Sequence, residues 1–172
     1  MYMANGILFN YESEVRDPEF VTMKISTAVA RIADGAKDPV IHGNLSTVKD
    51  WGYARDYVEG MWKMLQQDYP AYFVLGTNES HTVREFTEAA FRKIGKSVTR
   101  KGRGVNEVGL SEDGETLVKV SREFFRPLES DNYRGDYSKA RKKIDWEPRT
   151  KFCDLVRIMV ESDMRKLEVN QS

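Results

Sequence analysis

The chain has 172 residues, and its 27 Lys+Arg balance 27 Asp+Glu to a formal charge of zero. A balanced surface offers no basic field to a polynucleotide or an anionic bilayer, so neither nucleic acid nor a membrane is an expected partner. The single cysteine, Cys153, closes no internal disulfide, and His42 and His81 add no metal-ligand spacing, so no metal and a reducing, cytoplasmic setting are expected. No apolar run approaches the roughly 18 residues of a membrane span, and no signal-peptide pattern opens the chain.

Residues 5 to 9 form a short apolar run ending at Asn10, which reads as a buried strand emptying into a charged loop. After Pro18, the spacing of Phe20, Val21, Ile25, Ala28 and Ile32 predicts a helix closing near Gly35. Val40-Ile41-His42 reads as a second short strand and Tyr72 to Gly76 as a third; together with residues 5 to 10 they suggest one edge of a parallel sheet. Between them lies Lys49-Asp50-Trp51-Gly52-Tyr53-Ala54-Arg55-Asp56-Tyr57-Val58-Glu59-Gly60-Met61-Trp62, a polar turn running into a helix. Val58, Met61, Trp62 and Leu65 fall at i, i+3, i+4 and i+7, which gives that helix one apolar face, with Asp56 and Glu59 away from it or capping.

Thr82-Val83-Arg84-Glu85 has the form of a capping box, and Val83, Phe86, Ala90 and Ile94 continue it as an amphipathic helix to Gly95. From 96 to 121 four glycines interrupt any long element; Leu117 to Val120 reads as a strand after an Asp113-Gly114 hairpin turn. Ser138 or Asp136 is placed to cap a short helix through Ile144. Thr150 is placed to cap a last helix with a stripe of Phe152, Leu155, Val156, Met159 and Val160. Flanked by Phe152 and Leu155, Cys153 is expected to be buried packing, and both histidines are expected to be structural.

The Lys49 to Val58 run resembles the Arg-Asp-Trp-Gly-Tyr-Ala-x-Asp-Tyr-Val stretch of the GDP-mannose 4,6-dehydratases, a branch of the extended short-chain dehydrogenase/reductases. Asn5 to Asn10, Glu19 to Ile25, Gly43-Asn44-Leu45, Met64 to Asp68, Phe125-Arg126-Pro127, and Gly135 to Ala140 through Trp146-Glu147-Pro148 resemble that family in the same order. The resemblance implies an α/β fold: the C-terminal part of a Rossmann-type parallel sheet plus a small α/β substrate-binding domain, the latter mainly about 11–45 and 96–172 of a 1–172 C-terminal half. It implies NADP as cofactor and GDP-mannose as substrate. Hydride leaves sugar C4, water is eliminated across C5 and C6, and the hydride returns to C6 to give GDP-4-keto-6-deoxymannose on the way to GDP-fucose and related sugars.

By position, Asn10, Val21, Lys24, Lys49, Arg126 and Glu129 match the family's substrate contacts, and the three cations among them suit a diphosphate. Tyr11 and Arg16 match cofactor contacts, although the family carries histidine where Tyr11 stands and arginine where Lys49 stands. No catalytic residue is assigned. The family's base is a tyrosine in a Tyr-x-x-x-Lys pair, and the nearest spacing, Tyr137 to Arg141, resembles ordinary helix surface. Gly102-Arg103-Gly104 lacks the third glycine of a dinucleotide turn and reads as a loop. The chain alone is therefore expected to be inactive, with self-association or an N-terminal complementing half as partner. The alternatives are a non-catalytic GDP-sugar-binding or regulatory module and an inactive fragment.

Overall fold

The computed structural model describes residues 1–126 and 133–170. In chain order the elements are β1 (Asn5–Leu8), β2 (Asn10–Glu12), α1 (Val21–Ala33), β3 (Val40–His42), β4 (Val48–Lys49), β5 (Trp51–Tyr53), α2 (Ala54–Leu65), β6 (Tyr72–Leu75), β7 (His81–Thr82) and α3 (Val83–Lys93), followed by β8 (Thr99–Lys101), β9 (Val108–Leu110), β10 (Thr116–Val120), α4 (Ser138–Ile144) and α5 (Phe152–Asn170). They fall into two compact units, one of Met1–Ser13, Val48–His81 and Asn132–Leu155, the other of Glu14–Thr47, Thr82–Asp131 and Val156–Ser172.

In the first unit β1 and β6 pair in parallel from Asn5↔Tyr72 to Leu8↔Leu75, and β2 and β5 pair in parallel from Asn10↔Trp51 to Glu12↔Tyr53. Parallel neighbours need a crossover, and the long connection from β1 to β6 contains α2. The core gathers Tyr57 and Met64 from α2, Phe73 and Leu75 from β6, Ala140 and Ile144 from α4, and Trp146. Trp146 stands edge-on to Tyr57 at 5.8 Å and donates its indole N–H to the Asp56 carbonyl at 2.7 Å. At Gly60 a Cβ would come within 2.9 Å of the Trp146 Nε1, so glycine lets the indole lie against the helix.

This packing turns α2 away from its expected orientation. Asp56, Tyr57, Gly60 and Met64 are buried, whereas Val58, Trp62 and Leu65 of the apolar stripe are 61, 61 and 59% exposed. Asp56 tolerates burial because its carboxylate accepts from the Arg149 and Thr150 N–H groups at 3.1 and 2.9 Å. Thr150 thus donates its backbone N–H to a neighbouring carboxylate at the site where a helix cap was expected.

The second unit holds a four-stranded sheet in the order β3-β10-β9-β8, parallel between β3 and β10 and antiparallel elsewhere. The expected three-strand parallel edge is therefore wrong for β3, which pairs Val40↔Val118 with the strand after the Asp113-Gly114 turn. The reason is visible in its side chains: Val40 and His42 are buried and Ile41 is 45% exposed, the alternation of a strand covered on one face. Helices α1 and α3 bury Met23, Ile25, Val29 and Ala30, and Val83, Phe86, Ala90 and Phe91. Both halves of the Thr82–Glu85 capping box are formed, and Gly35 and Gly95 follow their helices at φ 103° and 73°. Asp163 of α5 is buried and accepts from Ser26 at 2.7 Å and from Lys166 at 2.7 Å.

Candidate functional site

In the first unit Lys49 directly precedes a buried carboxylate, Asp50. Asp50, only 2% exposed, accepts from the Thr77 N–H and hydroxyl at 2.9 and 2.6 Å, the Asn78 N–H at 3.2 Å and the Gly135 N–H at 2.8 Å. A buried carboxylate persists only with its lone pairs filled, and here that requirement ties the segment after β6 and the segment before α4 to the turn between β4 and β5. Gly76 and Gly135 permit it, since a Cβ on either would sit within 3 Å of the other's Cα. Lys49 is held next to this knot, half-buried, and its ammonium makes no ion pair among the described residues. The Asn10↔Trp51 register places Asn10 on the neighbouring strand. Tyr11 is 38% exposed and tilts onto Tyr57 at 5.6 Å between ring centroids.

In the second unit, Val21 and Lys24 occupy the first turn of α1, Val21 half-buried and Lys24 exposed. The turn entering that helix is set by Asp17, whose side chain and carbonyl accept from the Glu19 and Phe20 N–H groups. Arg16 lies with its guanidinium 3.5 Å above the Phe20 ring. Arg126 is exposed, and its carbonyl accepts from the Asn44 side-chain amide at 3.3 Å. Beside Asn44, the space for a Cβ on Gly43 is taken by the Phe124 carbonyl, so the two loops touch through backbone. Neither Lys24 nor Arg126 forms an ion pair among the described residues. Glu129 lies outside the described residues.

Several other cations are paired. Arg84 grips Glu107 through two bonds of 2.9 and 2.7 Å, Lys37 pairs with Glu115 at 3.0 Å and Lys93 with Glu161 at 2.7 Å. Lys49 in one unit and Lys24 and Arg126 in the other, unpaired among the described residues, offer positive charge that suits an anion.

The Tyr57 phenol and the His42 imidazole are poorly placed to move protons. Burial above all, then the Asp50 and Asp56 charges, push the Tyr57 phenol far up, the opposite of what a phenolate base needs. Its hydroxyl is buried with no hydrogen-bond partner among the described residues. His42 is buried against the Thr87 hydroxyl at 3.2 Å, and burial lowers it from 6.5 to about 4. His81 stacks on Phe152 at 3.7 Å between centroids. Tyr137 accepts the Arg141 N–H through its own carbonyl, while the Arg141 guanidinium pairs with Glu147 at 3.3 Å. Cys153 is exposed, contrary to the expectation of burial, because Phe152, Leu155, Val156, Met159 and Val160 define the inward face of α5 and position 153 lies about 100° from Phe152 around the axis. Among the described residues no group of three His, Cys, Asp or Glu is arranged to hold a metal, and no helix is long and apolar enough to cross a membrane.

The described residues do not by themselves make an NADP site. Gly102 precedes and Gly104 begins a 3-10 turn at Gly104–Asn106, Arg16 is engaged with Phe20, and Tyr11 is 38% exposed beside Tyr57. The Asp50 knot was not foreseen. Its signal in the sequence is an acid directly after Lys49 and directly before the aromatic Trp51-Gly52-Tyr53.

Comparison with known proteins establishes the family and the fold. The profile of the GDP-mannose 4,6 dehydratase family matches residues 1–159. The GDP-mannose 4,6 dehydratase of Cricetulus griseus is 47% identical over 171 residues, which is 99% of this chain and 46% of that protein. Among solved structures, RMD from Pseudomonas aeruginosa complexed with NADPH aligns with TM-score 0.71 at 13% identity, covering 93% of this chain and 47% of that one. The dTDP-glucose 4,6-dehydratase of Bacillus anthracis in complex with NAD aligns with TM-score 0.70 at 17% identity, covering 95% and 45%. The fold is thus α/β of the Rossmann-type dehydratase and epimerase kind, and the chain spans about half the length of the relatives it matches. It belongs to the GDP-mannose 4,6-dehydratase family.

Proposed function

We propose that this chain is the GDP-sugar-binding half of a GDP-mannose 4,6-dehydratase, working in the cytoplasm in the conversion of GDP-mannose to GDP-4-keto-6-deoxymannose. The first unit supplies late strands and helices of the cofactor-binding sheet, and the second is the small substrate-binding domain. Lys49, Lys24 and Arg126 neutralise the diphosphate, Asn10 and Glu129 take hydroxyl or amide contacts, and Val21 packs against the bound nucleotide sugar. NADP would accept the hydride from sugar C4 and return it to C6, with Tyr11 and Arg16 at the rim of its site. The phenolic base and its lysine come from outside this chain.

The observation that carries this reading is that none of the three matched cations forms an ion pair among the described residues, where Arg84, Lys37 and Lys93 are each neutralised. Calorimetric titration of GDP tests it. Arg126→Ala is expected to weaken binding about tenfold, roughly 1.4 kcal/mol, whereas Lys37→Ala, which removes a paired surface charge, leaves it unchanged. Equal affinities for wild type and both variants, or no GDP binding by folded wild type, would overturn the assignment. Incubation of the pure chain with GDP-mannose and NADP is expected to yield no 4-keto product.

A further inference from the structure

We propose that the Gly43-Asn44 corner after β3 is the positioning element for Arg126, and so sets where that guanidinium meets the phosphates of a nucleoside diphosphate sugar. This rests on reading the chain as the GDP-sugar-binding half.

Arg126 ends a segment that, from Ser121 onward, belongs to no helix or strand. Burial does not fix it either, since Arg126 is exposed and Phe124 is 57% exposed. A long cation on a loose segment gives up conformational freedom when it binds, and that loss subtracts from affinity. What holds this segment is the chain leaving β3. The β3 and β10 ladder ends at His42↔Val120, and contact continues beyond it in the same direction. The Ser121 N–H donates to the His42 carbonyl at 2.8 Å. A Cβ on Gly43 would stand 2.2 Å from the Phe124 carbonyl oxygen, and the Asn44 side-chain amide donates to the Arg126 carbonyl at 3.3 Å. Three successive residues, 42 to 44, thus track the chain from Ser121 to Arg126.

The corner is itself held. The Leu45 and Thr47 carbonyls accept from the Arg84 and Val83 N–H groups, each at 3.0 Å, and Leu45 is buried. These bonds fasten the corner to the first turn of α3, whose start is fixed by its capping box. All of these residues lie in the second unit. Asn44 uses both ends of its side chain: the oxygen accepts from the Ser46 N–H at 2.9 Å and shapes its own turn, while the amide reaches across to Arg126. Gly43 is needed for space, because any Cβ there drives the Phe124 carbonyl, and with it the Arg126 backbone, off the corner. Both residues act through Arg126.

The test is calorimetric titration of GDP into wild type, Asn44→Ala, Gly43→Ala, Arg126→Ala and the two double variants that combine Arg126→Ala with each corner change. Asn44→Ala should weaken binding about fivefold, the scale of one hydrogen bond. Gly43→Ala should weaken it about tenfold, as Arg126→Ala does. In the Arg126→Ala background neither change should cost more than about twofold, because residues that act through one another do not add. A residue that served only the fold would cost the same in both backgrounds. Backbone amide relaxation supplies a second readout: the Arg126 order parameter should fall in Asn44→Ala while those of Val83 and Arg84 hold. Asn44→Asp keeps the oxygen that Ser46 bonds and lacks the donor, so it should lower the Arg126 order parameter as Asn44→Ala does, whether or not Gly43→Ala folds. Additive costs in the cycle, or an Arg126 order parameter unchanged in both Asn44 variants, would overturn the proposal. GDP binding that is indifferent to Arg126→Ala, or absent in folded wild type, strikes the functional assignment instead, and the relaxation data then decide the placement of Arg126 by themselves.

Discussion

Helices α2 and α3 announce themselves in the sequence by the same signal, an apolar stripe at helical spacing, and the structure treats them oppositely. On α3 the stripe faces inward, with Val83, Phe86, Ala90 and Phe91 between 0 and 5% exposed. On α2, Val58, Trp62 and Leu65 remain about as exposed as surface residues, and a charged Asp56 and a glycine face the core instead. The 3.6-residue period reports that a face is made for burial and says nothing about what buries it. The cover for α3 lies within its own unit; α2 uses its inner face for Trp146 and the sheet, and its stripe is left over.

The largest expected effects break this comparison at single residues. Phe86 is fully buried, so Phe86→Ala should cost about 3 to 5 kcal/mol of unfolding free energy through lost transfer energy and the cavity left behind. Trp62→Ala removes a larger side chain from a position 61% exposed and should shift stability by no more than about 0.5 kcal/mol. Urea unfolding of the isolated chain measures both. A Trp62→Ala loss as large as that of Phe86→Ala would mean that the α2 stripe is already covered.

A somewhat smaller effect sharpens the contrast through pH. His42 packs against Thr87 on the inner side of α3, and burial holds its pKa at about 4 against an ordinary 6.5. Below pH 6.5 the unfolded chain takes up a proton that the folded chain refuses, so stability is fully present above 6.5 and falls as pH drops toward 4. The loss should be about 2 kcal/mol between pH 8 and pH 5, and His42→Gln should flatten it, as measured by urea unfolding across that range. The Arg84 hydrogen bond holds the Glu107 carboxyl below its ordinary range, so its contribution is present above that range and disappears only at lower pH. The two windows are therefore separable.

Local chemistry was the legible part of this chain. The Thr82 box, the glycines ending α1 and α3, the Asp113-Gly114 turn and the α5 stripe all work through residues near in sequence, where spacing alone specifies the geometry. What escaped were features with distant partners. The pairing of β3 with β10 joins residues far apart in the chain, and nothing in Val40-Ile41-His42 names its neighbour. The Asp50 knot likewise gathers Thr77, Asn78 and Gly135, and only the folded chain shows why an acid follows Lys49. Candidate site residues were found by family resemblance, since a lysine's spacing does not distinguish a ligand contact from a solvated charge. The structure adds which of those cations are left without a carboxylate.

The last and smallest effect concerns how the two helices begin. On α3, the Thr82 hydroxyl accepts from the Glu85 N–H at 3.0 Å, and the Glu85 carboxylate accepts in return from the Thr82 N–H at 2.6 Å, so two otherwise orphaned donors are satisfied. On α2, the N-cap Tyr53 makes no side-chain capping hydrogen bond, and Asp56 in the first turn directs its carboxylate to the Arg149 and Thr150 N–H groups. Entry into α3 is thus specified by its own four residues, whereas entry into α2 depends on β5 and the distant 149–150 backbone. Thr82→Ala should therefore cost about 1 kcal/mol, and Thr82→Ser, which keeps the accepting oxygen, should recover most of it. Thermal melting of the three proteins, with amide exchange of the α3 first turn as a local readout, measures this. If Thr82→Ala proves neutral and the first-turn amides stay protected, tertiary packing of Val83 and Phe86 rather than the cap sets the start of α3, and the two helices begin by the same means after all.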